Sequence, residues 1–258
     1  MAAGKAVSLV LLACVCLAAG NGNTTPPLGA MILVPAGRYH LTMPSGPPRP
    51  FRTLGYFIDA HLVTNRQYLD FIGASGHRPG PGFDFDRARR HPLLPATGVS
   101  HGDAAAYAAF HGKRLPTADE WQLAAQSLNA KNIYPWGLSP KHKACNALYQ
   151  SPGGLTAVFA YPPNRLGMYD PAGNAFEWTA TPYPSAAGSP HALITLKGGA
   201  WTTQAADMMC AQAIPFPAHR SLHWLGFRCV RAAAAKEQAK AAYVMRLVLS
   251  TARIACVP

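Results

Sequence analysis

Charged side chains are scarce in this chain, and acidic ones are the scarcest. Only 13% of the 258 residues are charged, with 11 Asp and Glu against 23 Lys and Arg, whereas 49% are hydrophobic. This composition excludes a disordered or fibrous chain and indicates one globular domain with a sizeable core. Gly and Pro supply 23 and 24 residues without any repeat, which predicts many turns and long irregular loops.

Basic runs and several catalytic motifs are also missing. The formal charge of +12 includes no run of five or more basic residues, and the densest cluster, Asp86–His91, contains an acid, which is typical of a solvated loop. We therefore predict no nucleic-acid partner. There is no phosphate loop, GxSxG elbow or HExxH motif. His219 and His223 have a metal-ligand spacing, but Pro215 and Pro217 argue against a helix there and favour loop histidines.

The beginning of the chain has the pattern of an export signal. One Lys precedes an apolar run over Ala6–Ala19, which is too short to span a bilayer, and a polar, Pro-containing stretch follows. We predict a signal peptide over residues 1–20, a linker over 21–30 and a periplasmic or secreted mature protein. The alternative is a lipoprotein, because Leu11–Cys14 has the form of a lipobox; only lipidation at Cys14 would give a membrane partner.

Few cysteines remain once the signal region is set aside. Four of the six lie in the body of the chain, namely Cys145, Cys210, Cys229 and Cys256. In an oxidising compartment four cysteines favour disulfides, whose connectivity among three possibilities is not set by sequence.

Several helix-start signals are present. The stretch MILVPAGRYHL predicts a strand broken at residues 35–37. The side chain of Thr64 or Asn65 is predicted to cap one helix and that of Ser100 a second, and Thr117 followed by Glu120 forms a capping-box signature for a third.

Two further segments have weaker signals. Residues 76–98 are rich in Pro and Gly and are predicted to form a loop. The Ala-rich, basic tail over residues 232–258 is predicted to be a packed terminal helix, with membrane-surface binding as the alternative.

Seven pieces occur in an order that resembles one family. They are MILVPAG, YFIDAHLVTNRQYLDFI, GVSHGDAAAYAAFHGKRLPTADEW, YPWG, NRLGMYDPAGNAFEWT, KGGAW and LGFRC. Together they resemble the formylglycine-generating-enzyme, or sulfatase-modifying-factor, domain over residues 31–231. The resemblance implies an irregular α+β fold, related to C-type lectins, with little regular secondary structure.

The resemblance also implies a calcium site in YDPAGNAFEW. By the family's pattern Asp170 and Glu177 supply carboxylate oxygens, while Gly173 and Ala175 supply backbone carbonyls. Two acidic ligands on a tight turn also suit a hard cation that accepts six to eight oxygens. The alternative is a turn whose Asp and Glu merely cap free N–H groups. A second family site starting at Asn146–Ala147 lacks its acidic segment and is predicted to be lost.

The same resemblance makes Cys210 the candidate catalytic residue. Oxidising members carry two cysteines five positions apart that bind Cu(I); Cys210 falls at the second position and Met208 at the first. One thiolate of the copper site is therefore missing, unless a methionine thioether replaces it. In the family the usual partners of Cys229 stand where this chain has Ala108 and Ala125. A Cys210–Cys229 disulfide and a buried free thiol are both open.

The resemblance implies three functions. An exported single domain without the cysteine pair looks most like the branch that includes pyoverdine-maturation proteins. We therefore expect an accessory oxidoreductase-like maturation factor, monomeric, that acts on a peptide, a protein or a peptide-derived small molecule. The alternatives are a catalytically silent lectin-like binding domain and a formylglycine-generating oxidase with an altered copper site.

Overall fold

The computed structural model describes residues 25–139, 145–148, 152–184 and 192–240. The predicted signal peptide, Cys14, Cys256 and most of the predicted tail helix lie outside these residues. The described start of that tail is helical over residues 235–240. Within the described ranges, no helix combines the length and the apolar character needed to cross a membrane.

Short strands and short helices follow one another along the chain, and the described residues between 126 and 175 form loops. The elements are β1 (Met31–Val34), β2 (Gly37–Leu41), β3 (Arg49–Thr53), β4 (Tyr56–Asp59), α1 (Asn65–Ser75), α2 (Phe85–Arg90), α3 (His101–Phe110), α4 (Ala118–Ala125), β5 (Phe176–Pro182), β6 (Leu193–Lys197), β7 (Ile214–Pro217), β8 (Leu225–Gly226) and β9 (Val230–Ala232). This mixed, mostly irregular content confirms the predicted α+β class.

The strands form three sheets. In the first, β4 lies between β1 and β9 and pairs antiparallel with both, so that the beginning and the end of the domain share a sheet. The second is the β2–β3 hairpin. The third has the order β7-β6-β5-β8, in which β5 and β8 pair in parallel. This last sheet places β5, with Glu177, beside β8, which leads into Arg228.

Side-chain caps fix the starts of the three longer helices, as the sequence predicts. Capping boxes are formed by Thr64 with Gln67, by Ser100 with Asp103, and by Thr117 with Glu120. Each box satisfies backbone N–H groups that the first turn of a helix leaves unpaired. The predicted break at residues 35–37 is confirmed as well, since β1 ends at Val34 and β2 begins at Gly37.

The loop prediction for residues 76–98 is wrong over six residues. Helix α2 lies inside this segment, and its N-cap Asp84 accepts a hydrogen bond from the backbone N–H of Arg87 at 2.9 Å. Ala88 is its buried residue. A helix with one buried side chain shows no 3.6-residue apolar period. Without that period, the surrounding Pro and Gly favour the prediction of a loop.

Two buried clusters form most of the core. One lies around α1, α3 and β5 and includes Tyr68, Trp178 and Cys229. The other lies under α4 and includes Trp121 and Cys210.

Candidate functional site

The predicted calcium segment is a strained loop that leads into β5. Asp170 and Asn174 have φ values of 49° and 63°, in the left-handed region that non-glycine residues seldom adopt. Backbone hydrogen bonds hold this conformation: Gly173 N donates to Gly198 O, and Asn174 N donates to Asn146 O, both at 2.9 Å. The loop is therefore fastened to two other segments of the chain.

Gly173 is required by a close approach as well as by its backbone angle. Its φ is 78°, and a Cβ atom placed on it would lie 2.3 Å from the carbonyl oxygen of Asn146. A contact that short admits no side chain. The structure thus gives Gly173 a packing role beside its predicted role as a carbonyl ligand, and it brings Asn146 to the Asp170 loop.

The carboxylate of Asp170 is buried without a hydrogen bond. The residue is 3% exposed, and neither carboxylate oxygen has a hydrogen-bond partner among the described residues. Burial raises the pKa of Asp170 to about 7, although the charge of Arg228 and the nearby amide of Asn174 oppose that shift. The Asn174 amide favours the ionised form without reaching hydrogen-bonding geometry. Asn146 Oδ1 is a second buried oxygen without a partner.

Glu177, by contrast, is fully paired with Arg228. Arg228 Nε and Nη2 donate to the two carboxylate oxygens at 2.7 and 2.8 Å, and both side chains are 0% exposed. The guanidinium also donates to the backbone carbonyls of Tyr169 and Asp59, at 2.9 and 3.2 Å. Sequence reasoning assigned no role to Arg228; the signal was a single Arg inside the apolar run LGFRCV.

The residues present fit an oxygen-liganded cation centred on Asp170. Its two oxygens lack partners, and the hydrogen bonds of the described residues include none to the carbonyls of Gly173 or Ala175. Each oxygen of Glu177 accepts from Arg228, but a carboxylate oxygen has a second lone pair and can still ligate an ion. Bound calcium would neutralise Asp170 and join its loop to β5.

Backbone and amide oxygens would have to complete such a site. No group of three or more His, Cys, Asp or Glu side chains suited to a metal ion occurs in the described part of the chain. A calcium ion accepts six to eight oxygens, so the carboxylates of Asp170 and Glu177 alone are too few. Asn146 Oδ1 is available for this purpose, because it has no hydrogen-bond partner among the described residues.

The cysteine candidate Cys210 is enclosed in the core. It is 0% exposed, and burial raises the pKa of its thiol to about 12. Cys229 is equally buried, and burial followed by the charge of Asp59 holds its pKa well above the ordinary value. Neither forms a disulfide. Of the two alternatives, a Cys210–Cys229 disulfide and a buried free thiol, the structure shows the second.

The surroundings of the two thiols differ. Cys229 shares a core cluster with Ala108, and Cys210 shares the other cluster with Ala125. The resemblance places the usual partners of Cys229 at these two alanines, and only Ala108 shares its cluster. Cys210 and Cys229 thus lie in different core clusters, and the fold does not bring them together.

A buried lysine stabilises the segment that contains Cys210. Lys197 Nζ donates to the carbonyls of Cys210 and Gln212, both at 2.7 Å, and lies 5.6 Å from the ring centre of Trp121. Burial lowers the pKa of Lys197 to about 8. Because the contact is to the backbone of Cys210, the lysine positions the chain rather than the thiol.

Met208, the candidate thioether, lies beside a different cysteine. Its Sδ is 4.0 Å from Cys145 Sγ, and the two residues share a small buried cluster with Ala147 and Ala172. Burial and the charge of Asp170 raise the pKa of Cys145 to about 11. His219 and His223 lie in the loop between β7 and β8, as predicted.

Comparison with known proteins identifies the domain. Residues 18–233 match the family model of the sulfatase-modifying factor enzyme 1-like domain. An inactive C-alpha-formylglycine-generating enzyme 2 from Bos taurus is 30% identical over 243 residues, which cover 70% of this chain and 78% of that protein. A serine/threonine-protein kinase pkn1 from Chlamydia pneumoniae is 28% identical over 240 residues; the alignment covers 80% of this chain but only 38% of the kinase.

The fold agrees with that match. The structure of PvdO from Pseudomonas aeruginosa superimposes with a TM-score of 0.68 at 21% identity, covering 81% of this chain and 100% of PvdO. At that identity the likeness concerns the fold alone. It confirms the predicted irregular, C-type-lectin-like α+β architecture.

Proposed function

Because the chain belongs to the sulfatase-modifying factor enzyme 1-like domain family, we propose that it is a binding member of that family. In this proposal it is exported, holds a peptide or protein client and does not oxidise that client through a copper–thiolate centre. The observation that supports the proposal most directly is the complete burial of Cys210, with a thiol pKa raised to about 12.

A fully buried thiol with a raised pKa is poorly suited to act as a metal ligand or as a nucleophile, the two roles that oxidation requires. The thiolate is the metal ligand and the nucleophile, and reactive cysteines lie in accessible, electropositive surroundings that lower the pKa. The one cation beside Cys210 among the described residues is Lys197, which is itself buried and donates to backbone carbonyls. Among the described residues, no second cysteine shares a core cluster with Cys210, because Cys229 and Cys145 each lie in another one.

The relative from Bos taurus supports the same proposal, since its name describes an inactive enzyme. The hypothesis of an accessory maturation factor stays compatible with a binding role, in which the chain would present a client to another enzyme. An oxidoreductase step carried out by this chain has no thiol pair to perform it among the described residues. In a binding protein, calcium at the Asp170 loop would stabilise the fold and take no part in a reaction.

Oxygen consumption is the test of this proposal. The purified chain would be supplied with Cu(I), a thiol reductant and a cysteine-containing peptide, and oxygen uptake would be compared with that of the Cys210→Ser variant. We expect no uptake above the protein-free control for either protein. Stoichiometric Cu(I) binding with oxygen uptake that disappears in Cys210→Ser would overturn the proposal.

A second measurement does not depend on how the variant folds. Thiol labelling of the native chain, followed by mass spectrometry of its peptides, is expected to leave Cys210 and Cys229 unlabelled until denaturant is added. Rapid labelling of Cys210 in the native protein would show an accessible thiol and would contradict the binding role.

A further inference from the structure

We infer that a cavity beside α2 binds a carboxylate of an acidic peptide. It has a volume of about 310 Å³ and is lined by Asn65, Gly82, Phe83, Asp84, Arg87, Ala88, Thr97 and His223. This inference rests on the proposed function, because it names the client chemistry that the binding role would recognise.

The cavity has an enclosed floor and an open rim. Asn65 and Thr97 are 4% and 5% exposed and contribute polar groups to the floor, next to the apolar Ala88. His223 is exposed at the rim, and the Arg87 side chain is half-buried. The volume lies at the lower end of the range for ligand pockets, about 300–1,000 Å³, so it suits one side chain or a chain end.

Two glycines hold the walls of this cavity together. A Cβ atom placed on Gly82 would lie 2.1 Å from Ser221 Oγ and 2.8 Å from the carbonyl oxygen of Gly98. A Cβ atom on Gly98 would lie 2.1 Å from the carbonyl oxygen of Gly82. The backbone at Gly82 thus contacts that at Gly98, and Gly98 N donates to the carbonyl of Leu222 at 2.9 Å, so the cavity is formed before any ligand arrives.

One cationic side chain in the lining is left without an internal partner. Among the described residues, Arg87 forms hydrogen bonds through its backbone, from its N–H to Asp84 and from the His91 N–H to its carbonyl, whereas its side chain has no partner; the ion pair of α2 joins Arg89 to Asp86. The Arg87 guanidinium is therefore available to a ligand. The formal charge of +12 adds a long-range attraction for acidic partners.

A carboxylate suits the lining better than a phosphate does. The planar fork of a guanidinium matches the two oxygens of a carboxylate, and the Thr97 hydroxyl can donate a further hydrogen bond. The exposed carboxylate of Asp84 at the rim repels a second negative charge. A singly charged group is therefore favoured over a phosphate dianion.

Fluorescence anisotropy with a labelled tetraglutamate peptide tests the inference. Titrations at an ionic strength of about 0.15 M would compare wild type with Arg87→Gln and with Arg90→Gln, which removes the same charge from the exposed side of the same helix. A tetraglutamine peptide reports non-ionic binding. Thermal melting of both variants confirms that they fold.

We expect tetraglutamate to bind better than tetraglutamine, and Arg87→Gln to weaken that binding by about tenfold or more, because a charge-assisted hydrogen-bond pair is lost. Arg90→Gln should change it by less than about threefold. Equal losses in the two variants would indicate unspecific attraction and overturn the inference. So would equal binding of the two peptides, or a preference for a tetraglutamine peptide with one phosphoserine.

This outcome is separate from the oxygen-uptake result. If tetraglutamate fails to bind while the chain consumes no oxygen, the cavity assignment is wrong and the binding role stands. If oxygen is consumed through Cys210, the binding role is wrong whatever the peptide does.

Discussion

Two buried carboxylates, seven positions apart in the chain, stand in opposite environments. Glu177 on β5 is paired through both oxygens with Arg228, and neither side chain is exposed. Asp170 in the preceding loop is also buried, yet its two oxygens have no hydrogen-bond partner among the described residues. The fold thus satisfies one carboxylate internally and leaves the other to an external cation or to a proton.

This difference separates structural from ligand-dependent parts of the same segment. A buried ion pair with further hydrogen bonds joins β5 to the segment after β8 and to Tyr169, without any ligand. A buried carboxylate without a partner is unfavourable until it is neutralised. The region around Asp170 should therefore respond to calcium and to pH.

The largest effect is expected when the internal pair is broken. Arg228→Met leaves the Glu177 carboxylate buried and unpaired, which should lower the free energy of unfolding by about 3–5 kcal/mol. Arg231→Met is the matched control, because Arg231 pairs with Glu237 at a partly exposed site and should contribute about 1 kcal/mol or less. Urea unfolding followed by circular dichroism measures both. Equal losses in the two variants would show that Arg228 is not needed to compensate Glu177.

A smaller effect, with a definite sign, is expected at Asp170. Burial raises its pKa from 3.8 to about 7, so in calcium-free buffer the folded state favours the neutral form. Its contribution to stability is complete below the unfolded pKa and is lost as the pH rises through the folded pKa. Relative to Asp170→Asn, wild type should lose on the order of 3–4 kcal/mol between pH 4 and pH 8.

Calcium should reverse the loss of stability that the ionised Asp170 causes at high pH. With the ion bound, the ionised Asp170 is compensated, so wild type should gain stability and Asp170→Asn should gain less. Urea unfolding of wild type and of Asp170→Asn, each in chelator and in excess calcium, gives four curves of unfolding free energy against pH. If calcium stabilises both proteins equally, or neither, the ion does not use Asp170.

The sequence predicted the parts of the fold that depend on local signals. The caps at Thr64 and Ser100 are predictable because Thr and Ser side chains accept from free N–H groups, and the cap at Thr117 because Glu120, three residues later, completes a capping box. Helix α2 was missed because a single buried residue, Ala88, gives no period to detect. The family resemblance, carried by motif order, was the signal for the overall architecture.

The candidate site was predictable in its residues but not in its contacts. The family resemblance implies the same role for Asp170 and Glu177, that of carboxylate ligands. What distinguishes them is Arg228, which is 51 residues beyond Glu177 and is brought to it by the parallel pairing of β5 with β8. Cys210 was placed by counting, whereas its burial depends on packing against α4 that no local pattern reports.

The smallest effect is expected where the Asp170 loop meets Asn146. Gly173→Ala places a methyl group against the Asn146 carbonyl at a left-handed backbone position, and Gly76→Ala is the control, because Gly76 has a similar φ of 71° with nothing within 4 Å. Gly76→Ala should cost about 1 kcal/mol from the backbone alone. Gly173→Ala should cost about 1 kcal/mol more and also weaken calcium binding, since relief of the clash moves the loop away from Asn146. If both variants lose the same stability and bind calcium like wild type, the contact with Asn146 does not hold the Asp170 loop.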